Sequence, residues 1–319
     1  MASTEIENFD PTATVDKINK IAADRALNRR RFISTIGMAG AAAGAAALIS
    51  GCTNASTSTV AVNTSGVAQS NILAFALNIE YLQATFYSYL TQGVDLPSSL
   101  TAGSGAISGA PAMLTVTGTT ANTITQQMID LLNEIYYDEI NHVTYLQDVL
   151  GSAVVPRPAI NLAAYGAITP SNALSIARLL EDVGVTAFAG SIPGLTTSNA
   201  TYAAQTLGAE SFHAGALRLL SIQNTTLITY INPGDGLDVP PYDPGTATTA
   251  AAGPSANGAF FSSTGGVIAS TNTTQGLAYS RSTSQVLAVL YGAVVKPAAA
   301  GTASGGFFPN GVNGAISTI

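Results

Sequence analysis

The sequence has 319 residues, of which 47% are hydrophobic and 9% are charged, and its formal net charge is -7. This length and apolar content are enough for a full hydrophobic core in one or two domains. The negative charge argues against a nucleic-acid-binding protein, and the single cysteine excludes an intramolecular disulfide.

The first predicted element, residues 1–51, is an export signal. Its core, NRRRFISTIGMAGAAAGAAALISGC, places three arginines before an apolar Ala/Gly run and ends in small residues. That order is typical of a cleaved targeting segment rather than of a folded element. Arg29 and Arg30, followed by Phe-Ile, resemble the twin-arginine signal, and ISGC resembles the bacterial lipobox, in which the cysteine, here Cys52, receives a lipid.

We therefore expect a lipoprotein of the cell envelope (periplasm), exported by the twin-arginine route and anchored in a membrane by a lipid on Cys52. The alternatives are a transmembrane anchor and a buried free thiol. The apolar run is about 16 residues long, which is short for a spanning helix. Residues 52–69 begin with a stretch rich in Ser, Thr and Asn, which predicts a flexible tether.

Residues 70–225 contain four segments with the apolar periodicity of helices. Ser70 or Asn71 is expected to cap the first of them, and a long connection between the second and the third leaves room for a crossover. The segments cover about 70–91, 123–150, 171–191 and 199–223.

Residues 226–319 form a different region, rich in Gly, Thr and Ala. It contains one predicted short helix, at 282–293, and ends near the motif GGFFPNGVNG. We expect this C-terminal extension to wrap around the helices as ordered loops.

Both histidines of the chain have a glutamate three residues before them. The pairs are Glu139 with His142 and Glu210 with His213. Residues at this spacing project from the same face of a helix, so a carboxylate oxygen and an imidazole nitrogen can reach one metal ion. Two such helices could hold two metal ions.

The other two helices each carry one glutamate on an apolar face, Glu80 in the first and Glu181 in the third. Burying a lone carboxylate there would cost several kcal/mol, and a metal ion would remove that cost. Asp138 precedes a ligand candidate and could orient a histidine of the facing helix, or could simply be exposed. Glu134 points elsewhere and is interpreted as solvated or structural.

Several stretches resemble the ferritin-like domain of bacterial lipoproteins and plant desiccation-related proteins: ILAFALNIEYLQATFY, YYDEINHVTYLQDVLG, PRPAINL, LEDVGVTAFAG and AESFHAGALRLL. The resemblance implies an all-α fold, a ferritin-like antiparallel four-helix bundle with a long loop-rich C-terminal extension. It also implies a central pair of metal ions with the six ligands Glu80, Glu139, His142, Glu181, Glu210 and His213. Carboxylates and imidazoles suit iron and manganese equally well, so the metal stays open.

The fold alone does not determine the function. One hypothesis is a stress-related dimetal oxidoreductase that acts on O2 or H2O2, as a ferroxidase or a peroxidase or catalase does. The alternative is a non-catalytic structural or desiccation protein with a stabilising metal site. Iron storage in a closed shell ranks last, because a lipid anchor is awkward in such a shell. A homo-oligomer is compatible with each reading.

Overall fold

The computed structural model describes residues 67–103, 105–119, 123–223, 280–292 and 298–319. All of them belong to one unit of the chain, Thr59–Ile319. The predicted signal with Arg29 and Arg30, the lipidation candidate Cys52 and most of the tether lie outside the described residues. Within the described ranges, no helix combines the length and the apolar character that a membrane crossing requires.

Helices make up most of the described structure. They are α1 (Gln69–Gln92), α2 (Gln126–Leu150), α3 (Ala173–Ser191), α4 (Thr197–Gln223) and the short α5 (Thr283–Leu290). The four long helices confirm the four segments that apolar periodicity predicts, with ends that differ by at most three residues. The short helix α5 lies inside the predicted range 282–293.

The start of α1 differs from the predicted one. Ala68 occupies the N-cap position without a side-chain bond, so the expectation that Ser70 or Asn71 caps this helix is wrong. Instead, Gln69 Oε1 accepts a hydrogen bond of 2.6 Å from Thr196 N, in the turn between α3 and α4. The Gln69 side chain therefore accepts a hydrogen bond from a backbone N–H next to the start of α4 and does not cap α1 itself.

The helix α1 is antiparallel to α2. Gln92 Nε2 donates to Asn133 Oδ1 at 2.9 Å near the start of α2, and Gln147 Nε2 donates to Tyr81 Oη at 2.9 Å near its end. One turn of 3-10 helix, Ile192–Gly194, reverses the chain between α3 and α4. The helices of each of these two pairs, α1 with α2 and α3 with α4, therefore run in opposite directions, as in the predicted four-helix bundle.

The helix α1 is also antiparallel to α3, because Tyr87 contacts Glu181 whereas Phe75 lies beside Ser191. It follows that α2 and α3 point in the same direction. The connection 151–172 must therefore return along the bundle to the end at which α2 began. This is the crossover for which the sequence leaves room.

Two short strands attach the crossover to the rest of the domain. β2 (Ile160–Asn161) pairs in parallel with β1 (Ile107–Ser108), which belongs to the connection between α1 and α2. On its other side, Asn161 N donates a hydrogen bond of 2.9 Å to Phe307 O in the C-terminal segment. These bonds satisfy backbone groups that the crossover would otherwise bury unpaired.

The described part of the C-terminal extension packs on the bundle, as expected. Asn78, a buried residue of α1, binds Asn313 at both backbone groups: its Oδ1 accepts from Asn313 N at 3.0 Å and its Nδ2 donates to Asn313 O at 2.8 Å. Phe307 and Phe308 are fully buried. Because this segment covers α1 on the outside, nearly every residue of α1 is buried.

Apolar side chains recur every three or four positions along the buried stripe of α2. That stripe consists of Met128, Leu132, Ile135, Glu139, Val143, Leu146 and Leu150. Such spacing lines one face of a helix and directs it toward the core. Glu139 is the single charged member of the stripe, so the packing of α2 forces this carboxylate into the centre of the bundle.

We expect Asn78→Ala to loosen the C-terminal segment, because the substitution removes the side chain that pairs the partly buried N–H and C=O of Asn313. The free energy of unfolding should fall by about 3 kcal/mol. The matched control is Asn141→Ala: Asn141 is exposed on α2 and bonds only within its own helix. Denaturant unfolding of both variants checks this prediction, and equal stabilities would contradict it.

Candidate metal centre

Each of the four long helices places one glutamate near its middle, and the four meet at the centre of the bundle. All four carboxylates are fully buried, with 0% of each residue exposed: Glu80, Glu139, Glu181 and Glu210. His142 and His213 lie beside them, one turn along α2 and α4 from the glutamate of the same helix. The six residues that sequence spacing predicts as a group are thus together in the structure.

The six residues form two overlapping sets of candidate ligands. The first set is Glu80, Glu139, His142 and Glu210, and the second is Glu139, Glu181, Glu210 and His213. Within each set the ligating atoms lie within 4.8 Å of one another. Because Glu139 and Glu210 belong to both sets, the geometry offers two adjacent cation positions with these two carboxylates between them.

Both histidines direct Nδ1 toward the carboxylates. His142 Nδ1 lies 3.2 Å from Glu80 Oε2 and 3.5 Å from Glu210 Oε1. His213 Nδ1 lies 2.9 Å from Glu181 Oε2 and 3.4 Å from Glu139 Oε1. The two imidazoles therefore serve different ends of the cluster.

Several buried atoms of the cluster have no hydrogen-bond partner among the described residues. They are both carboxylate oxygens of Glu80, both of Glu139, Oε1 of Glu210 and Nδ1 of His142. Buried polar atoms normally have a partner, and each unpaired one costs free energy. A cation bound between these atoms would satisfy them, and oxygen and imidazole donors suit iron or manganese. The residues therefore fit a metal site.

Without a cation, protons replace part of the missing positive charge. Burial raises the pKa of Glu210 to about 8, and the charges of Glu139 and Glu181 add to that rise. Burial also favours the neutral form of Glu139, but contacts with the two histidines lower its pKa to about 2. Burial would lower the pKa of His142, yet Glu80 and the other carboxylates raise it. Metal binding would have to displace these protons.

Two polar residues of α1 support the carboxylates. Tyr87 Oη donates a hydrogen bond of 2.6 Å to Glu181 Oε1. Gln83 Nε2 donates to Glu210 Oε2 at 3.0 Å and faces Glu181 Oε1 at 3.4 Å. Neither role was predicted from the sequence. Gln83 and Tyr87 follow Glu80 by three and seven positions, so all three residues lie on the same face of α1.

Asp138 lies on the outer side of the cluster, where its Oδ2 is 3.1 Å from His213 Nε2. Its side chain is 46% exposed, so both readings of this residue apply: it is partly solvated and it contacts the histidine of the facing helix. A carboxylate in this position holds the ring so that Nδ1 points inward. Glu134, in contrast, is exposed, which agrees with its interpretation as a solvated residue.

Gly184 allows α3 to approach the cluster closely. A Cβ atom at this position would overlap Glu210 Oε2 and would lie 2.9 Å from Gln83 Nε2. Any other residue would therefore push the shared carboxylate of Glu210 out of place. Nothing in the apolar pattern of α3 marks this glycine, because the constraint comes from α4 and α1.

Comparison with known protein families matches residues 68–223 to the ferritin-like domain. The match covers α1 to α4 and with them all six candidate ligands. Among curated proteins, no sequence matches this chain significantly. The narrower resemblance to the desiccation-related proteins stays a prediction.

We expect Gly184→Ala to displace the Glu210 carboxylate and to lower metal occupancy at least severalfold. Gly215→Ala, in α4, is the control, because its added Cβ would meet no atom within 4 Å. That helical substitution should raise stability by about 0.5–1 kcal/mol. Metal analysis and thermal unfolding of both variants check this, and full occupancy in Gly184→Ala would show that Glu210 is not needed in its present position.

Proposed function

Residues 68–223 form a ferritin-like domain, and on this premise we propose that the protein binds two iron or manganese ions and reduces O2 or peroxide with them. The observation that carries the proposal is the pair of overlapping ligand sets at the bundle centre. Ferritin-like di-iron and di-manganese proteins use this donor pattern, with Glu from two helices and Glu-x-x-His from the other two.

The charge of the cluster supports two divalent ions. Four carboxylates carry four negative charges, which two divalent cations balance, so that the reduced site is neutral. With metal bound, His142 and Glu80 would hold one ion, and His213 and Glu181 the other. The two glutamates common to both sets would be shared. A pair of iron or manganese ions supplies electrons two at a time, which is the number that converts H2O2 to two waters.

The protein residues around the site would hold these ligands and exclude water. Tyr87 and Gln83 fix the carboxylates of Glu181 and Glu210 through their hydrogen bonds. Complete burial of the glutamates lowers the local dielectric and strengthens their attraction for a cation. Six protein ligands shared by two ions leave coordination positions open for an oxidant.

A structural metal site in a stress or desiccation protein is the second candidate function. The observation that favours it is the close packing of the centre, where a Cβ atom at position 184 of α3 would meet the side-chain ends of Glu210 and Gln83. Such a site would stabilise the bundle without admitting an oxidant. Both functions predict the same metal content, but only the redox function predicts turnover of an oxidant. Kinetic measurements of oxidant consumption therefore distinguish them.

The cellular setting is also a proposal. The arginine pair and ISGC support an exported lipoprotein in the cell envelope, anchored through Cys52. The twin-arginine route carries folded proteins, which suits a protein whose metal is chosen before export. Anchoring also disfavours a closed storage shell, whereas smaller homo-oligomers remain compatible with it.

Full-length protein should bind about two metal ions per chain. Glu139→Gln should bind less than half as much, because it weakens a ligand common to both sets. Glu134→Gln, on the exposed side of the same helix, is the matched control and should keep normal binding. Metal analysis after loading with iron(II) or manganese(II) checks this, and a chelator should lower the unfolding temperature. A folded protein that binds no metal would refute both candidate functions.

The redox proposal predicts that anaerobic, metal-loaded protein reacts with O2 or with H2O2 faster than the same metal in buffer. Rapid mixing with each oxidant, followed by absorbance and oxidant consumption, measures the rate. Glu80→Gln should slow the reaction by about tenfold or more, since it weakens a candidate ligand. If the metal-loaded protein reacts with both oxidants no faster than free metal does, the structural function is the better explanation.

Cys52→Ser should release the protein from membrane fractions, because the lipid acceptor is lost. Replacing Arg29 and Arg30 together by lysine should instead leave unprocessed precursor in the cytoplasm. Cell fractionation with a salt wash, followed by immunoblotting, distinguishes these outcomes. A Cys52→Ser protein that still sediments with washed membranes would refute the lipid anchor.

A further inference from the structure

Two tyrosines connect the buried cluster with the protein surface. Tyr202 of α4 is 8% exposed and Tyr145 of α2 is 44% exposed, and their rings stack with centroids 3.8 Å apart and planes 14° apart. Aromatic pairs usually prefer offset or edge-to-face arrangements, because parallel faces repel electrostatically. A close, nearly parallel pair instead brings the two π systems together.

The inner member of the pair lies on the face of α4 that lines the cluster. Tyr202, Thr206 and Glu210 follow at intervals of four residues, so they share that face. Burial raises the pKa of Tyr202, and the nearby charge of Glu80 raises it further, whereas that of His142 lowers it. The phenol of Tyr202 therefore lies close enough to the first ligand set for the charges of Glu80 and His142 to act on it.

The hydroxyls of Tyr202 and Thr206 are buried and close to each other, and neither has a further hydrogen-bond partner among the described residues. A buried tyrosine hydroxyl usually has a well-formed hydrogen bond. Packing alone would be served equally well by phenylalanine at position 202. Ring packing alone thus does not account for the hydroxyl that is retained there.

We propose that Tyr202 and Tyr145 form a one-electron relay between the metal centre and the surface. The inference rests on the proposed redox function and names its reductant: a small enediol or phenol that meets Tyr145 in solution. With the metals bound and oxidised, Tyr202 would give one electron to the site, and its phenolic proton would pass to the carboxylate cluster, where peroxide is protonated. Tyr145 then returns an electron and a proton to Tyr202, and the reductant restores Tyr145. Two such passages deliver the two electrons and two protons that convert H2O2 to two waters.

Tyr87 lies closer to a ligand but does not provide such a route. It is fully buried, its hydroxyl binds Glu181, and its ring meets the edge of Phe86, which is also fully buried. Phenylalanine is much harder to oxidise than tyrosine, so an oxidised Tyr87 would have no onward step through this contact. The pair of Tyr202 and Tyr145 ends at an exposed ring.

The test uses full-length protein loaded with iron(II), mixed with H2O2 and frozen within milliseconds for electron paramagnetic resonance. Wild type should give a tyrosyl radical signal, which Tyr145→Phe changes and Tyr202→Phe abolishes. With ascorbate as reductant, steady-state peroxide consumption should fall about tenfold in both variants. Metal content and thermal unfolding should not change, because phenylalanine keeps the ring packing.

Tyr137→Phe is the matched control. Tyr137 is 56% exposed on α2 and its ring contacts that of Tyr136 at a tilt, with centroids 5.2 Å apart. This variant should keep the radical and the ascorbate-dependent rate. A radical that survives in Tyr202→Phe, or that disappears only in Tyr87→Phe, would overturn the relay. If peroxide is consumed normally without any tyrosyl signal, the relay alone fails. If metal-loaded protein consumes no peroxide, the proposed function fails with it.

Discussion

The main constraint on this domain is the mutual repulsion of four carboxylates that have no access to water. A bundle of this kind normally fills its centre with apolar side chains, whereas here each long helix places a glutamate there. The favourable packing must therefore come from the periphery. The buried faces of α1 and α3, the crossover and the C-terminal segment supply it, and each covers a part of the bundle that would otherwise face solvent.

The two ends of the cluster differ in how well the protein itself satisfies them. Glu181 accepts a hydrogen bond from Tyr87, and the ring beside it, His213, is held by Asp138. Glu80 has no such hydroxyl or amide donor among the described residues, and its Oε2 lies 3.2 Å from Nδ1 of His142. The end with Glu181 and His213 therefore has more supporting hydrogen bonds from surrounding residues than the end with Glu80 and His142. Such supporting contacts hold ligands in position before an ion binds.

Apolar periodicity and the spacing of a few charged residues were sufficient to predict the four helices and the group of six polar side chains. The pattern is easy to read because charge is rare in this chain, so that a glutamate on an apolar face stands out. Helix ends were harder: α1 begins after Ala68, which has no capping side chain, and Gln69 bonds to Thr196 N, 127 residues away, rather than within its own helix. Gln83 and Gly184 could not be recognised for a similar reason. Their importance comes from Glu210 on another helix, and a single sequence shows no such pairing.

The bond between Asn78 and Asn313 closes a loop of 235 residues. At common rates of protein synthesis, these two residues leave the ribosome roughly 10 to 50 s apart. For more than half of that interval α2, α3 and α4 are themselves still being synthesised, because the last of them ends at Gln223. Once they have formed, α1 still lacks the segment that covers its outer side. The nascent chain must therefore keep a partly exposed apolar helix from aggregating for much longer than a helix takes to form. In the cell, chaperones that bind exposed apolar helices would have their longest opportunity at this stage.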